Sequence, residues 1–504
     1  MEQSERAPVI VGVGDIIDRP ADLLQSREPL TMMEQAARAA ERDAGARLIG
    51  DVDSIDVVKQ VSVAYPDLAR QLADRLELDR NCRAVVSTGS GNGPLRELQA
   101  AAARIQRGES TAALVCGAEA QWSVDQARKR GIELPWMPKQ GGAGLFQIQN
   151  PQVYANPLAI RYGLITPSQV YPLYENAAAA RWGQTPAEAR EESAEIWSAM
   201  SEVASRNPFA WLPRRHDASQ IAEPSATNRP LAWPYSKLMV AQPSVNLGSA
   251  VLLTSVGHAR EAGVPADRMI YIGAGASALD IDDYLMRDRY DENIHQTTVL
   301  QSILAQLDWR HSQFDLVELY SCFPVVPKMA RRVLGIASGT PLSVAGGLTF
   351  MGAPLHNYMS HAITAMTRQL RAKSRGAGLL YGQGGNVTKH HATVLTRKPP
   401  RTPWRDDVSV QVEADRARGP IPALVDRYAG PGQIETFTVQ HDRDGAAAYG
   451  AVMVRIESGR RTLARVPPDD GQTLETLTSL TRSPVGAPVR VRIGSDDVNF
   501  VSLD

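Results

Sequence analysis

Gly346-Gly347-Leu348-Thr349-Phe350-Met351-Gly352-Ala353-Pro354 is the stretch on which the reading of this chain turns. Its nine residues hold three glycines, one proline and no ionisable side chain. Ala353, just before the proline, offers only a methyl group, which can neither take a proton nor donate a hydrogen bond. Two further glycine-rich segments, Gly89–Gly93 and Gly382–Gly385, flank it in sequence, and loops of this kind let backbone approach a ligand closely.

Bulk properties set the frame. With 504 residues the chain is too long for one ordinary core and implies two to four domains. A hydrophobic fraction of 43% and a formal net charge of -1 describe a globular protein with no bias toward nucleic acid or an anionic membrane. The first residues, Met1 to Arg6, lack the basic and apolar regions of a secretory signal. No run of roughly 18 or more apolar residues follows, so no integral membrane segment is expected. Only three cysteines occur, Cys82, Cys116 and Cys322, without metal-like spacing. No metal site is expected, and free thiols in a reducing cytoplasm are.

Working outward, two segments begin alike. Val9 to Gly14 is echoed by Ile270 to Gly275, and Ile55 to Val58 by Leu316 to Leu319, with an offset of roughly 260 residues in both pairs. This predicts an internal duplication. The Gly-x-Gly pairs lack the third glycine of a dinucleotide fingerprint and are expected to be strand-to-loop turns. Glu97 to Arg107 carries apolar residues at helical spacing, ends at Gly108, and leads into the strand pattern Ala112 to Cys116. Residues 121–240 read as an insertion rich in Trp, Pro and Arg, with an interrupted helix from Pro186 to Arg206. A proline-rich linker at 399–404 is followed by alternating strands from Val408 onward, with one helix near Gln472 to Leu480. A β-barrel over 405–504 fits that texture, and its slightly acidic balance argues against nucleic acid.

Several motifs in this order resemble the thiolase superfamily, and the sterol-carrier-protein type in particular. Gly89-Ser90-Gly91-Asn92 with the helix and strand that follow is similar to the nucleophile segment. Glu318 to Phe323 is similar to the His-Asp-Cys-Phe segment, Gly346 to Pro354 to the Gly-Gly…Gly-His-Pro signature, and Tyr381 to Asn386 to the late glycine loop. The resemblance implies an α/β fold of two duplicated halves, 1–265 and 266–398, in layered α-β-α-β-α order. The last strands resemble the antiparallel, OB-like barrels that accompany some thiolase-like proteins. Relatives with a zinc ribbon use cysteines, and none follows Cys322.

Carried over residue by residue, the resemblance places the nucleophile at Gly91, an oxyanion donor at Tyr320 and the signature histidine at Ala353. Cys322 matches the acid/base cysteine of sterol-carrier-type relatives, with packing and reactivity both open. Ser90 reads either as a nucleophile served by a nearby base or as a turn hydroxyl. His356, His390 and His391 are the candidates to replace the missing imidazole, each with a structural alternative. Ser90, Gly91, Asn92, Tyr320, Ala353, Gly384 and Gly385 are expected to line the substrate site. Arg214-Arg215-His216 could meet phosphates of coenzyme A or form a solvated turn. The implied ligand is an acyl-CoA or CoA-like thioester, with no other cofactor. Orthodox thiolase activity is expected to be absent. The alternatives are an acyltransferase rebuilt around Cys322 and a histidine, and a non-catalytic scaffold whose barrel recruits a protein partner. Relatives are mostly dimers, and the barrel leaves a monomer open.

Overall fold

The computed structural model describes residues 4–136, 155–400, 406–494 and 497–503. The first half opens with β1 (Pro8–Ile17), α1 (Pro29–Ala44), β2 (Val52–Val57), α2 (Leu68–Arg75), β3 (Arg83–Val86), α3 (Gly93–Arg107) and β4 (Ala112–Ala120). An intervening segment carries α4 (Gln121–Arg130), α5 (Pro157–Arg161), α6 (Pro167–Arg181), α7 (Pro186–Arg206) and α8 (Ala218–Ala222), then the short strands β5 (Pro230–Ala232) and β6 (Tyr235–Ser236). β7 (Asn246–Ser255) and α9 (Val256–Glu261) complete the half. The second half contains β8 (Ile270–Leu279), α10 (Ile294–Gln306), β9 (Leu316–Leu319), α11 (Val325–Leu334), α12 (Tyr358–Arg371), β10 (Ala377–Gly384) and β11 (Lys389–Thr396). Beyond it lie α13 (Gln411–Ala417), β12 (Gly430–His441), β13 (Ala447–Ile456), β14 (Arg461–Val466), α14 (Gly471–Leu477), β15 (Pro488–Ile493) and β16 (Asn499–Leu503).

The duplication is visible in strand order. The large sheet runs β3-β2-β4-β7-β1-β8-β11-β10-β9. Read outward from its middle, β1-β7-β4-β2 is repeated by β8-β11-β10-β9. The pairing senses repeat as well: antiparallel, antiparallel, then parallel. Among the described residues the second half has no counterpart of β3. The halves join at β1 and β8 through only two residue pairs, Val9 with Tyr271 and Ile10 with Ile270. Helices α3 and α12 touch strands of both halves, so they form the shared layer, with α1 and α2 covering one outer face and α10 and α11 the other. The two repeated halves thus join edge to edge at β1 and β8, with α3 and α12 as the helical layer that both share.

Three local expectations are corrected. Gly12 and Gly14 lie inside β1, not in a turn; a side chain at Gly12 would overlap the Ala40 carbonyl and one at Gly14 the Ala36 carbonyl, because α1 packs directly on this strand. Helix α7 is uninterrupted, since Pro186 sits in its first turn and Thr185 and Glu188 form a reciprocal capping box. Val408 to Val412 is not a strand. Val408 and Val410 bond across to Ser277, the Val410 carbonyl accepts from the Ala414 amide, and α13 starts at Gln411 with Ala414 turned inward. Residues 401–404 of the expected linker lie outside the described residues, as do 137–154 of the insertion.

The C-terminal strands close into a five-stranded barrel in the order β13-β14-β16-β15-β12, with β12 pairing back to β13. All pairings are antiparallel except β14 with β16. The insertion adds its hairpin β5-β6 to the outside of β12, which sequence patterning did not anticipate. Helix α6 seals the junction: Thr436 Oγ1 donates to the Leu173 carbonyl at 2.5 Å, and Asn176 Nδ2 to the Phe437 carbonyl at 2.8 Å. The fully buried Arg461 guanidinium pairs with Glu435 and donates to the Arg287 and Asp288 carbonyls. Among the described residues no helix is long and apolar enough to cross a membrane.

Candidate functional site

The loops that follow β3, β9 and β10 meet the Gly346–Pro354 segment here. The first is Gly89–Asn92, which leads into α3; a proline in that helix's first turn fixes where it begins. The Ser90 hydroxyl donates to Asn92 Oδ1 at 2.5 Å, and its oxygen fills the space a side chain at Gly384 would need. Gly91 is enclosed more tightly. A Cβ there would overlap the Gln383 carbonyl oxygen and Tyr320 Oη, and would lie 2.7 Å from Tyr320 Cζ. The phenol of Tyr320 therefore stands where a residue-91 side chain would have to go.

The second loop follows β9. Glu318, fully buried, accepts from the Ser343 hydroxyl (2.8 Å), the Val344 and Ala345 amides (2.8 and 3.1 Å) and the Tyr358 hydroxyl (2.7 Å). Burial pushes its carboxyl upward despite those donors. Ser343 in turn accepts from the Gly346 and Gly347 amides, and Ser321 from the Leu348 amide, so this network shapes the third loop, Gly346–Pro354. Gly346 holds a φ of 112° against the backbone of Ala204 in α7, where any side chain would collide. Ala353 is buried, its amide donating to the Gln242 carbonyl at 2.8 Å, and the adjoining Ala241 amide donates to the Cys322 carbonyl at 3.1 Å. The opening motif and the Cys322 loop are thus stitched together by one strand-like stretch that ends the insertion.

The histidines separate. Leu355 holds a left-handed φ of 45°, an unusual conformation for leucine, and presents His356 to the Gly89–Asn92 loop. A side chain at Gly89 would come within 2.5 Å of His356 Nε2. Burial, with Lys59 and Lys389 nearby, pushes this imidazole down to about 4. His390 and His391 are neighbours on β11, so their side chains point to opposite faces of the sheet. His390 Nδ1 lies 2.8 Å from the Tyr381 hydroxyl, in the neighbourhood of His295 and Arg287. His391 is on the face toward Arg96 of α3. Burial pushes both down to about 3. Cys322 is brought to neither: its Sγ contacts Gln383 Oε1 at 3.6 Å, and burial pushes the thiol up to about 12 against a hydrogen bond from Tyr171. No histidine hydrogen-bonds it among the described residues.

Insertion helix α6 supplies groups that motif reading missed. The Tyr171 hydroxyl donates to Gln383 Oε1 (3.0 Å) and the Gly385 carbonyl (2.9 Å), its ring stacks on Phe323 with centroids 4.3 Å apart, and Tyr174 donates to the Asn386 carbonyl. Gly385 itself is exposed at the rim. A polar Gln383 in an otherwise apolar strand was the available signal; nothing local tied Tyr171 to it. Arg214 and Arg215 are exposed, while His216 stacks on Phe350 of the opening motif at 5.5 Å. No group of three or more candidate metal ligands occurs among the described residues. The assembled site holds hydrogen-bond donors and a neutral imidazole, but neither a side chain at Gly91 nor a thiol poised to ionise.

Residues 410–496 match the family model of the thiolase-like protein type 1 additional C-terminal domain. The chain has the thiolase fold. Over its whole length it is similar to a monomeric SCP2-thiolase-like protein type 1 from Mycobacterium smegmatis, at 28% identity and a TM-score of 0.82, with 99% of each chain covered. The acetyl-CoA acetyltransferase of Syntrophomonas wolfei shares the fold at 16% identity and a TM-score of 0.57, over 78% of this chain and 99% of that one. Human mitochondrial 3-ketoacyl-CoA thiolase, solved in complex with CoA, does so at 14% identity and 0.56, over 79% and 99%. No curated protein sequence matches the chain significantly. Both enzymes leave about a fifth of this chain uncovered, and residues 410–496 match a domain described as additional to type 1 thiolase-like proteins.

Proposed function

We propose that this chain binds acyl thioesters of coenzyme A at the site between Gly89–Asn92, Tyr320 and Gly384, and does not perform orthodox thiolysis or Claisen condensation. The observation that carries it is the filling of the Gly91 position by Tyr320 and the Gln383 carbonyl, which leaves no room for a nucleophile. The surroundings of Cys322 favour the same reading over a rebuilt acyltransferase: a thiol pushed up to about 12 is almost wholly un-ionised near neutrality, and only the thiolate attacks. Support for the ligand class comes from the thiolase architecture and from the CoA complex of the human enzyme, together with the lysines Lys59 and Lys389 beside His356.

The test is thermal unfolding with CoA, acetyl-CoA, acetoacetyl-CoA and longer acyl-CoAs, alongside an acetoacetyl-CoA cleavage assay. A ligand at a hundredfold excess over its dissociation constant stabilises the native state by about 2.7 kcal/mol, a shift easily seen. Stabilisation without cleavage is expected. Cleavage at a thiolase-like rate, or no shift with any thioester at millimolar concentration, defeats the proposal.

A further inference from the structure

We propose that the free edge of β9 accepts an extended, uncharged apolar segment of a partner protein as an added strand. The internal duplication supplies the comparison. In the first half β2 carries β3 on its outer side, in parallel, through residue pairs that run from Ser54 with Arg83 to Val57 with Val86. β9 is the counterpart of β2, yet among the described residues no strand pairs with its outer side. The residues that follow α11, where a counterpart of β3 belongs, bend away. They reach the edge at Leu342, whose carbonyl accepts from the Leu319 amide at 2.9 Å, while the stretch from Gly335 to Pro341 lines the far side of a cleft. That cleft has a volume of about 790 Å³, within the ~300–1,000 Å³ of ordinary ligand sites.

The lining decides the kind of occupant. Backbone groups alternate along a strand between its two sides. The Tyr320 amide bonds inward to the Tyr381 carbonyl and the Leu319 amide outward to Leu342, so the Val317 amide and carbonyl also point outward. Neither has a hydrogen-bond partner among the described residues, although Val317 is only 5% exposed. Unpaired groups at a sheet edge are a template for another strand. The charged side chains of the cleft are already committed: Arg206 pairs with Glu202, Arg368 with Asp15, and Asp315 accepts from the Ala377 amide at 2.9 Å. Half-buried Val203, Phe209, Phe314, Leu316 and Ile336 make the walls apolar. Recognition therefore falls to the main chain and to apolar side chains, the combination by which a strand is added to a sheet. A carboxylate-bearing amphiphile would find no uncommitted cation among these lining residues.

The experiment selects random linear peptides displayed on phage against the full chain, then measures synthetic copies of the recovered sequences by fluorescence polarisation. Val317→Pro removes the outward amide without touching the ladder to β10, and Ala365→Trp fills the cleft from α12. Melting curves of both variants are compared with wild type first. The recovered peptides are expected to be apolar and uncharged, to bind each variant about tenfold or more weakly, and to slow hydrogen exchange at the Val317 amide of wild type. If Val317→Pro fails to fold, Ala365→Trp and the exchange of that amide decide the matter. Recovery of no peptide, or peptides that bind both variants as tightly as wild type, overturns the proposal. So does dodecanoate binding that Ala365→Trp abolishes and Val317→Pro leaves intact, which assigns the cleft to a lipid. Self-association abolished by Ala365→Trp would make a second copy the occupant and overturn it likewise.

Discussion

Reinstalling a cysteine at residue 91 should fail, and the structure says by how much. The new Cβ would overlap the Gln383 carbonyl and the Tyr320 hydroxyl, and sit 2.7 Å from Tyr320 Cζ. Tyr320 could in principle rotate away, but Gln383 belongs to β10 and is in register with His390 of β11, so its carbonyl moves only if the ladder loosens. Overpacking of a well-filled core costs about 1–3 kcal/mol, and a rigid backbone neighbour places this site at the upper end. The shift per kcal/mol falls inversely with chain length, to about 1 °C for 504 residues, so Gly91→Cys should lower the melting temperature by about 3 °C. Gly91→Ala, with the same Cβ and no sulfur, should lose most of that amount. Differential scanning calorimetry measures it, and a cleavage assay on acetoacetyl-CoA should stay at background for both variants. Were Gly91→Ala to melt with wild type, the enclosure of this position would be wrong, and with it the reason given for absent thiolysis.

Other consequences follow from the same geometry. Lys328, fully buried, donates to Glu175 Oε1 at 2.6 Å and to the Ala189 carbonyl at 2.7 Å; Lys328→Met should cost about 3–5 kcal/mol in urea unfolding, with part recovered by adding Glu175→Gln. A cost below about 1 kcal/mol would show that the pair does not hold α6 and α7 to α11. His356, His390 and His391 fall from 6.5 to about 4, 3 and 3, so the unfolded chain binds more protons than the native one below the ordinary histidine range. Stability should therefore be flat above about pH 7 and decline as pH falls from 6.5 toward 4, and a His390→Gln, His391→Gln variant should show a shallower decline in melting temperature. An unaltered slope would contradict their burial as neutral groups. Cys322 should resist iodoacetamide at pH 8 in the native state and react on unfolding, read by mass spectrometry of its peptide; rapid native labelling would instead favour a reactive thiol. Arg461→Ala strips Glu435 of its buried partner and two body carbonyls of their donor, and should raise protease sensitivity of the barrel well above that of wild type.

Much of this molecule is legible in the chain because it depends on local repetition. The echo of Val9–Gly14 in Ile270–Gly275 predicts β1 and β8, and the helical spacing before Gly108 predicts α3, since periodicity and caps act within a few residues. The absence of imidazole at Ala353 and of any side chain at Gly91 is equally a matter of sequence. What stands in their place is not. Tyr320 reaches Gly91 across 229 positions, and Tyr171 meets Gln383 across 212, contacts that arise only once both halves pack on α3 and α12. The same is true of Gly12 and Gly14, whose sequence reads as a turn and whose real constraint is the backbone of α1. The histidines make the point most plainly: Thr388-Lys389-His390-His391 looks polar and available, yet burial on the two faces of β11 leaves both rings neutral. Residue identity determined that positions 91 and 353 carry no ionisable side chain. Desolvation and packing, which arise only once distant segments meet, decided what the groups that remain can do.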